Sequence, residues 1–523
     1  MPDVLPAEAA PAGVPGDGSL ARWVKVLDQS ACIGCHACTT ACKSENAVPL
    51  GVTRTYVKYV DVGVFPQARR AFQVTRCNQC QDAPCVAACP TAAMYQRPDG
   101  IVDFDKRLCI GCKACMAACP YDAIFINPED HAAEKCNFCA HRLDIGLEPA
   151  CVTVCPTQAI VVGDLNDPTS RVAEIVGRSA VTVRRPEKET HPKVFYRGAH
   201  QATLDPLAAR RPEGGIYMWS EQPGGPGEVG SGYPARGNGG VNSSAAALLA
   251  YDVSHRAPWD WRVSLYTWTK GIAAGAWLVA VVLALTGTLD WGDPLVRWGA
   301  PGLAVAFLAA TGGLLIWDLE HPERFFFIFT KPQWRSWLVR GGFVIGAYGA
   351  VLGLHLLGSV LGRDGLIRVA AYPGIPLAVM TAVYTAYLFA QSKARDLWQS
   401  PLLPPHMAVQ AVLAGAGALL VADSVGDAGA SPTLAWVLFA ACAAHLLLVA
   451  GEVTLTHPTA HAHLAAWEMT RGRYAKFFWT GIVLVAAGLA APLAGPVAGL
   501  AALAGLLGHE HAYVQAAQCV PLA

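Results

Sequence analysis

Charge is scarce in this sequence: of 523 residues only 15% are Asp, Glu, Lys or Arg, and the two signs balance at 39 each. A chain without excess charge projects no field toward a polyanion, so nothing argues for nucleic acid as a partner. So little charge beside 53% hydrophobic residues also excludes an ordinary soluble protein, and part of the chain must lie in lipid. No glycine-rich nucleotide fingerprint and no nucleophile motif occurs in the cysteine-rich first part of the chain, which leaves that part without a substrate of its own to transform. The opening MPDVLPAEAAPAGVPGDGSLAR has neither an apolar core nor a twin arginine; residues 1–20 read as a disordered lead-in that carries no export signal. Cysteine almost vanishes after residue 155, where only Cys442 and Cys519 remain, both expected to be inert apolar packing.

Charge is also unevenly spread. Residues 263–523 hold 13 Lys/Arg and 12 Asp/Glu against 26 and 27 before them, so a boundary falls near residue 262. The other sixteen cysteines lie between Cys32 and Cys155 in four groups: Cys32, Cys35, Cys38, Cys42; Cys77, Cys80, Cys85, Cys89; Cys109, Cys112, Cys115, Cys119; and Cys136, Cys139, Cys151, Cys155. Such spacing is too tight for independent disulfides. Structural zinc takes separated pairs, whereas a triplet followed by one more cysteine and a proline is the ferredoxin run, in which three thiolates hold one face of a cubane and the fourth crosses to another cluster. Sixteen thiolates make four 4Fe-4S clusters, more than storage needs and enough for a conducting row. IVDF and AIFI between the groups read as short strands, giving an α+β ferredoxin-like domain of two bis-cluster modules.

Residues 180–250 are rich in Pro, Gly and Ser and read as an irregular connection, ordered against the clusters at 186–220 and flexible at about 222–245. Beyond it, apolar runs predict an all-α domain with spans near 264–288, 299–317, 339–360, 370–391, 405–423, 432–454, 474–493 and 496–516. The resulting division is 1–20 lead-in, 21–200 cluster domain, 201–255 linker and 256–523 membrane domain. Eight spans put both ends on one side. Eleven Lys/Arg (Arg256, Arg262, Arg324, Lys331, Arg335, Arg340, Lys393, Arg395, Arg471, Arg473, Lys476) fall on the side of the clusters and three (Arg297, Arg363, Arg368) opposite, which predicts clusters facing the cytoplasm of a bacterial inner membrane.

The stretches CIGCHACTTACKSEN, VPLGVTRTYVKYV, RCNQCQDAPCVAACPTAAM, DGIVDFD, CIGCKACMAACPYDAI and KCNFCAHR, over residues 20–200, resemble the four-cluster ferredoxin subunit of the membrane molybdopterin oxidoreductases, the family of the dimethyl sulfoxide and polysulfide reductases. LYTWTKGIAAGAWL, DLEHPERFFFIFTKPQWRSWLVRG and HAYVQAAQCVPLA, within 255–523, resemble the NrfD-like anchors of polysulfide reductases. The first resemblance implies the ligand sets Cys32/Cys35/Cys38/Cys155, Cys42/Cys136/Cys139/Cys151, Cys77/Cys80/Cys85/Cys119 and Cys89/Cys109/Cys112/Cys115, the last nearest the membrane. The second implies eight helices, no haem and a quinone site near the clusters. His355, His445, His509 and His511 form no convincing haem-ligating pair by sequence.

Together these imply an electron-transfer and anchor subunit, itself non-catalytic, linking a molybdenum or tungsten bis-pterin subunit acting on formate or a sulfur oxyanion to menaquinone or ubiquinone. A higher oligomer of that complex is compatible with it. The rival reading is the anchor of a hydrogenase or of a redox-driven proton-translocating complex. Because the electron must travel a short distance, quinone should bind at the clustered ends of the spans. Tyr266 and Lys270 lie four apart on one helix face, Tyr384 lies toward that end of the fourth span and His406 opens the fifth. A buried lysine is costly unless it faces a polar cavity, although Lys270 could also snorkel and the tyrosines could be belt residues. Asp318, Glu320, His321, Glu323 and Arg324 could move the protons that quinone chemistry requires.

Overall fold

The computed structural model describes residues 21–210, 247–426 and 431–523. The predicted lead-in and flexible stretch lie outside them.

In the first half the strand Trp23–Asp28 is central to a four-stranded sheet, and its VKVL run is buried on both faces. It pairs antiparallel with Ile160–Asp164 and parallel with Val194–Arg197, whose other edge carries Val181–Thr182. A second sheet places Thr55–Val62 between Arg69–Arg76 and Ala247–Tyr251, all antiparallel. The segments read as short strands form two hairpins, Met94–Gln96 with Val102–Phe104 and Ile124–Ile126 with Ala133–Lys135. The cysteines ride on turns and short helices between these pieces, Cys38 and Cys42 on the longest, Ala37–Glu45.

The turns repeat. The first Cys-x-x-Cys of each group has a left-handed third residue: Gly34 (φ 72°), Gln79 (48°), Gly111 (69°) and Phe138 (63°). That conformation is cheap only for glycine, and at Gly111 a Cβ would also strike Glu320 of the membrane half. After the Cys-Pro pairs the chain turns again through left-handed Ala92, Asp122 and Gln158.

The 201–255 region is not all irregular. Arg210 donates to the Ala247 carbonyl (2.9 Å) and its own carbonyl accepts from the Leu249 amide (2.8 Å), so the chain leaves and re-enters one ladder. The direct path between the halves is only Asp252–Asp260.

In the second half a helix stands at every predicted span. Seven are long and apolar enough to cross a membrane, by length and composition, among the described residues: Trp261–Leu285, Leu295–Trp317, Trp337–Val360, Asp364–Gln391, Leu403–Ser424, Ser431–Thr454 and Ala475–Ala494. The eighth, Pro496–Gln518, is less apolar because its second half carries His509, Glu510, His511, Gln515 and Gln518. Apart from His511, those side chains are buried in the bundle and do not face lipid. The fourth helix begins at Asp364, earlier than its apolar run, and holds Pro373 and Pro376 inside it. The first and fifth helices cross at Gly275 and Gly415, where any side chain would enter the facing backbone; close approach of small residues is how helices bind one another in lipid.

Candidate functional site

The sixteen cysteines fall together in space as four sets. Cys32, Cys35, Cys38 and Cys155 line one cavity, and Cys89, Cys109, Cys112 and Cys115 line another. Cys42 interacts with Cys136, Cys139 and Cys151, and Cys85 with Cys77, Cys80 and Cys119. Neighbours between sets give an order. Cys38 faces Cys151, Cys77 faces Cys136, and Cys115 faces Cys85, so the sets form a row from the Cys32 end to the Cys112 end.

The surroundings fit an anionic group bound by sulfur. Backbone amides donate to Cys77 (3.5 Å, from Gln79), Cys89 (3.3 Å, from Met94), Cys109 (3.4 Å, from Gly111) and Cys155 (3.2 Å, from Ala159). Arg76 is fully buried; its Nη1 donates to Cys151 Sγ at 3.1 Å, and among the described residues no carboxylate bonds to it and its Nε and Nη2 have no partner. Lys25 Nζ approaches the same sulfur at 4.0 Å. Two buried cations without acidic partners would be costly; a thiolate-bound cluster beside them would supply the negative charge that offsets them. Burial pushes the Cys42, Cys80 and Cys119 thiols up to about 12, and would raise Cys151 too, but Arg76 and Lys25 bring it down to about 7.

The two ends of the row differ. At the first, Cys35 is exposed and Ile33 and Val154 stand out in solvent. At the other, the Cys89–Cys115 loops are seated on the membrane half. Trp259 Nε1 donates to the Cys112 carbonyl (3.1 Å) and Arg324 to the Cys109 carbonyl (3.0 Å). The Gln333 amide reaches the Pro90 carbonyl (2.8 Å), and the Ser336 hydroxyl reaches that of Ala88 (2.8 Å). Lys113, next to Cys112, donates to the Asp318 carbonyl (2.9 Å) and pairs with Glu320 (3.2 Å). Burial pushes the Asp318 carboxyl up to about 6, with Lys113 pulling the other way. Ala114, Ala117, Ala118, Trp259, Tyr266, Phe389 and Trp398 share one apolar core across the seam.

The residues expected at a quinone site or on its proton path are thus divided. Asp318, His321 and Arg324 bond to the cluster loops, His321 through its amide to the Ile110 carbonyl (3.2 Å). Tyr266, Lys270 and Tyr384 converge inside the bundle: Lys270 donates to Thr385 (2.7 Å) and the Ala382 carbonyl (2.8 Å), its ammonium 4.8 Å from the Tyr384 ring centroid. It is buried and does not snorkel. Glu510, absent from the sequence reading, is its charge partner and accepts from Thr267 (2.9 Å). His406 is buried on the fifth helix and lines a small cavity with Thr267, Gln410, Glu510 and His509. The signal for Glu510 was an ionisable residue within an apolar run, which in lipid is functional by default. Cys442 and Cys519 are buried, Cys519 beside the Tyr474 hydroxyl (3.6 Å).

Residues 68–165 match the "4Fe-4S dicluster domain" family and residues 251–498 match "Polysulphide reductase, NrfD". The first part is similar to a subunit of tetrathionate reductase in Salmonella typhimurium, 43% identical over 197 residues that make up 36% of this chain and 77% of that relative. It is also similar to one polypeptide of the polysulfide reductase of Wolinella succinogenes, 44% identical over 33% of this chain and 93% of the relative. The arsenate respiratory reductase iron-sulfur subunit of a Shewanella species is 36% identical, over 34% and 95%.

Proposed function

The chain belongs to the family of ferredoxin-type iron-sulfur subunits of these reductases, carried here on an NrfD-type membrane domain, and from that premise we propose that it conducts electrons through four 4Fe-4S clusters between a molybdopterin-type catalytic subunit and membrane quinone. The observation that carries this reading is the row of four cysteine sets, exposed at one end and seated on the bundle at the other. The proposed ligands are Cys32/Cys35/Cys38/Cys155, Cys42/Cys136/Cys139/Cys151, Cys77/Cys80/Cys85/Cys119 and Cys89/Cys109/Cys112/Cys115. When bound, the clusters supply one-electron carriage. The protein sets their surroundings through amide donors to sulfur, Arg76 and Lys25, and holds the last set on the membrane half through Trp259, Arg324 and Lys113.

The catalytic partner docks at the Cys32 end, where Ile33 and Val154 offer apolar contact beside the exposed Cys35. A sulfur oxyanion or a related oxyanion is the substrate class best supported for that partner, since tetrathionate and arsenate name the relatives' enzymes. Quinone binds near Tyr266, Lys270, Tyr384 and His406. Tyr266 shares an apolar core with the helix that follows Cys112, and the hydroxyl and ammonium groups there can hydrogen-bond a quinone carbonyl and its reduced form. Tyr266→Phe and Lys270→Met should slow quinone-linked turnover at least tenfold while cluster content and turnover with a soluble dye persist. Normal quinone turnover in both variants would place the site elsewhere, first around Asp318–Arg324.

The clusters face the cytoplasm in this reading, on the strength of the eleven-to-three Lys/Arg bias. An alkaline phosphatase fused at the C-terminus should be inactive; an active fusion would put clusters and partner on the outer side.

A further inference from the structure

Three histidines from three helices meet inside the bundle: His406 of the fifth, His445 of the sixth and His509 of the eighth. One ring nitrogen of each lies within 4.8 Å of the others, and all three side chains are buried. They share a single hydrogen bond, His406 Nε2 to His445 Nδ1 at 2.9 Å, while His445 Nε2 and both nitrogens of His509 have no hydrogen-bond partner among the described residues. His355 shows how the same bundle treats a merely structural histidine. Its Nδ1 accepts from Trp277 (3.1 Å) and its Nε2 donates to the Val296 carbonyl (3.0 Å), so nothing is left over. Buried polar atoms are nearly always paired, because an unpaired one has given up its water for nothing; three orphan nitrogens in one spot therefore point to a missing ligand.

We infer that His406, His445 and His509 hold a divalent transition-metal ion of the zinc class, separate from the iron-sulfur clusters and from the quinone contacts of Tyr266, Lys270 and Tyr384. Imidazole suits such ions, and three histidines with one further position is a familiar zinc coordination set. Bonds of about 2.0–2.1 Å put tetrahedral ligand nitrogens roughly 3.4 Å apart, so the rings need to close by little more than an ångström. Glu452 lies seven residues beyond His445 on the same helix, and its Oε2 is 4.0 Å from His406 Nδ1. That is the place of a carboxylate that orients a ligating imidazole from behind, with His406 Nε2 turned to the metal. The ion would tie together three helices and balance Glu452 within the low-dielectric bundle. No step of electron transfer requires it.

The test uses the whole complex extracted from membranes without chelators and without an immobilised-metal column. Elemental analysis should find one zinc-class ion per polypeptide in addition to the cluster iron, and its X-ray absorption edge should show nitrogen and oxygen ligands only. His445→Gln and His509→Gln should each lose that ion and keep the iron. Absence of a stoichiometric zinc-class ion beside the cluster iron and the metal of the catalytic partner, sulfur in that ion's coordination shell, or its retention in both variants would overturn the inference. If neither variant accumulates, the wild-type metal content and edge spectrum decide it.

Discussion

Arg76 offers the most direct test of the cluster row, because its charge is buried, unpaired by any carboxylate, and aimed at a single sulfur. Replacing it by methionine keeps much of the volume and removes the charge. Nη1 lies 3.1 Å from Cys151 Sγ, which puts the centre of a cluster held by that sulfur roughly 6 Å from the guanidinium; at an effective dielectric near 20 this interaction is worth about 3 kcal/mol for one unit of charge. Adding an electron makes the cluster more negative, so the cation favours the reduced form and its loss must lower the potential. For a one-electron couple the shift is on the order of 100 mV downward. Arg76 also faces Cys136 and, more weakly, Cys38. The Cys42/Cys136/Cys139/Cys151 cluster should therefore move most, its Cys32/Cys35/Cys38/Cys155 neighbour less, and the two nearer the membrane hardly at all. A redox titration followed by electron paramagnetic resonance on membranes reads all four. Arg76→Lys, which keeps the charge, should restore most of the potential. No resolvable shift, an upward shift, or an equal shift in every cluster would refute the electrostatic reasoning and with it the assignment of Cys151.

Two further perturbations follow from the same contacts. Iron should approach ~16 atoms per chain, four for each cubane, and Cys112→Ser should abolish one resonance signal and leave three; iron near half that value, or zinc in its place, would sink the four-cluster assignment. His255 sits between Asp122 of the cluster half (2.5 Å) and Asp252 (3.1 Å). Burial alone would lower its pKa, but Asp252 and Asp122 raise it to about 10, against about 6.5 in an unfolded chain. A raised folded value means that the pair's stabilisation is complete below about 6.5 and is lost as pH climbs through 10. The melting temperature of the wild type should therefore fall more steeply between those pH values than that of His255→Gln, and parallel slopes would show that the imidazolium contributes nothing.

What could be read in advance was whatever a short stretch of chain encodes alone. Three cysteines within seven residues announce their metal because the ligands of one cluster face are neighbours in sequence. A span announces itself because lipid demands about twenty apolar residues in succession. Groups assembled from distant helices gave no such signal: His406 and His445 are each a lone imidazole in an apolar run, and His509 has only Glu510 and His511 beside it. The short seam residues were visible as a polar cluster, but their partners were not. Asp318, His321 and Arg324 grip the loop at Lys113, Ile110 and Cys109, and a carbonyl partner leaves no trace in composition. The strand Ala247–Tyr251 was hidden for a related reason, since it pairs with Thr55–Val62, far back in the chain.

That strand changes what the Pro/Gly-rich stretch is for. A tether between two bodies carries their separation, and its length sets how far apart they can drift. Here Arg210 and Leu248 clasp the two ends of residues 211–246 in one ladder, so the stretch is a detour from which the chain returns to where it left. Load between the halves passes instead through Asp252–Asp260, held by His255 and Trp259. The detour can then lengthen or shorten at a cost that grows only with the logarithm of its size, without moving any cluster relative to the membrane. While its two ends stay clasped, a change in its length leaves the path of the electrons where it was.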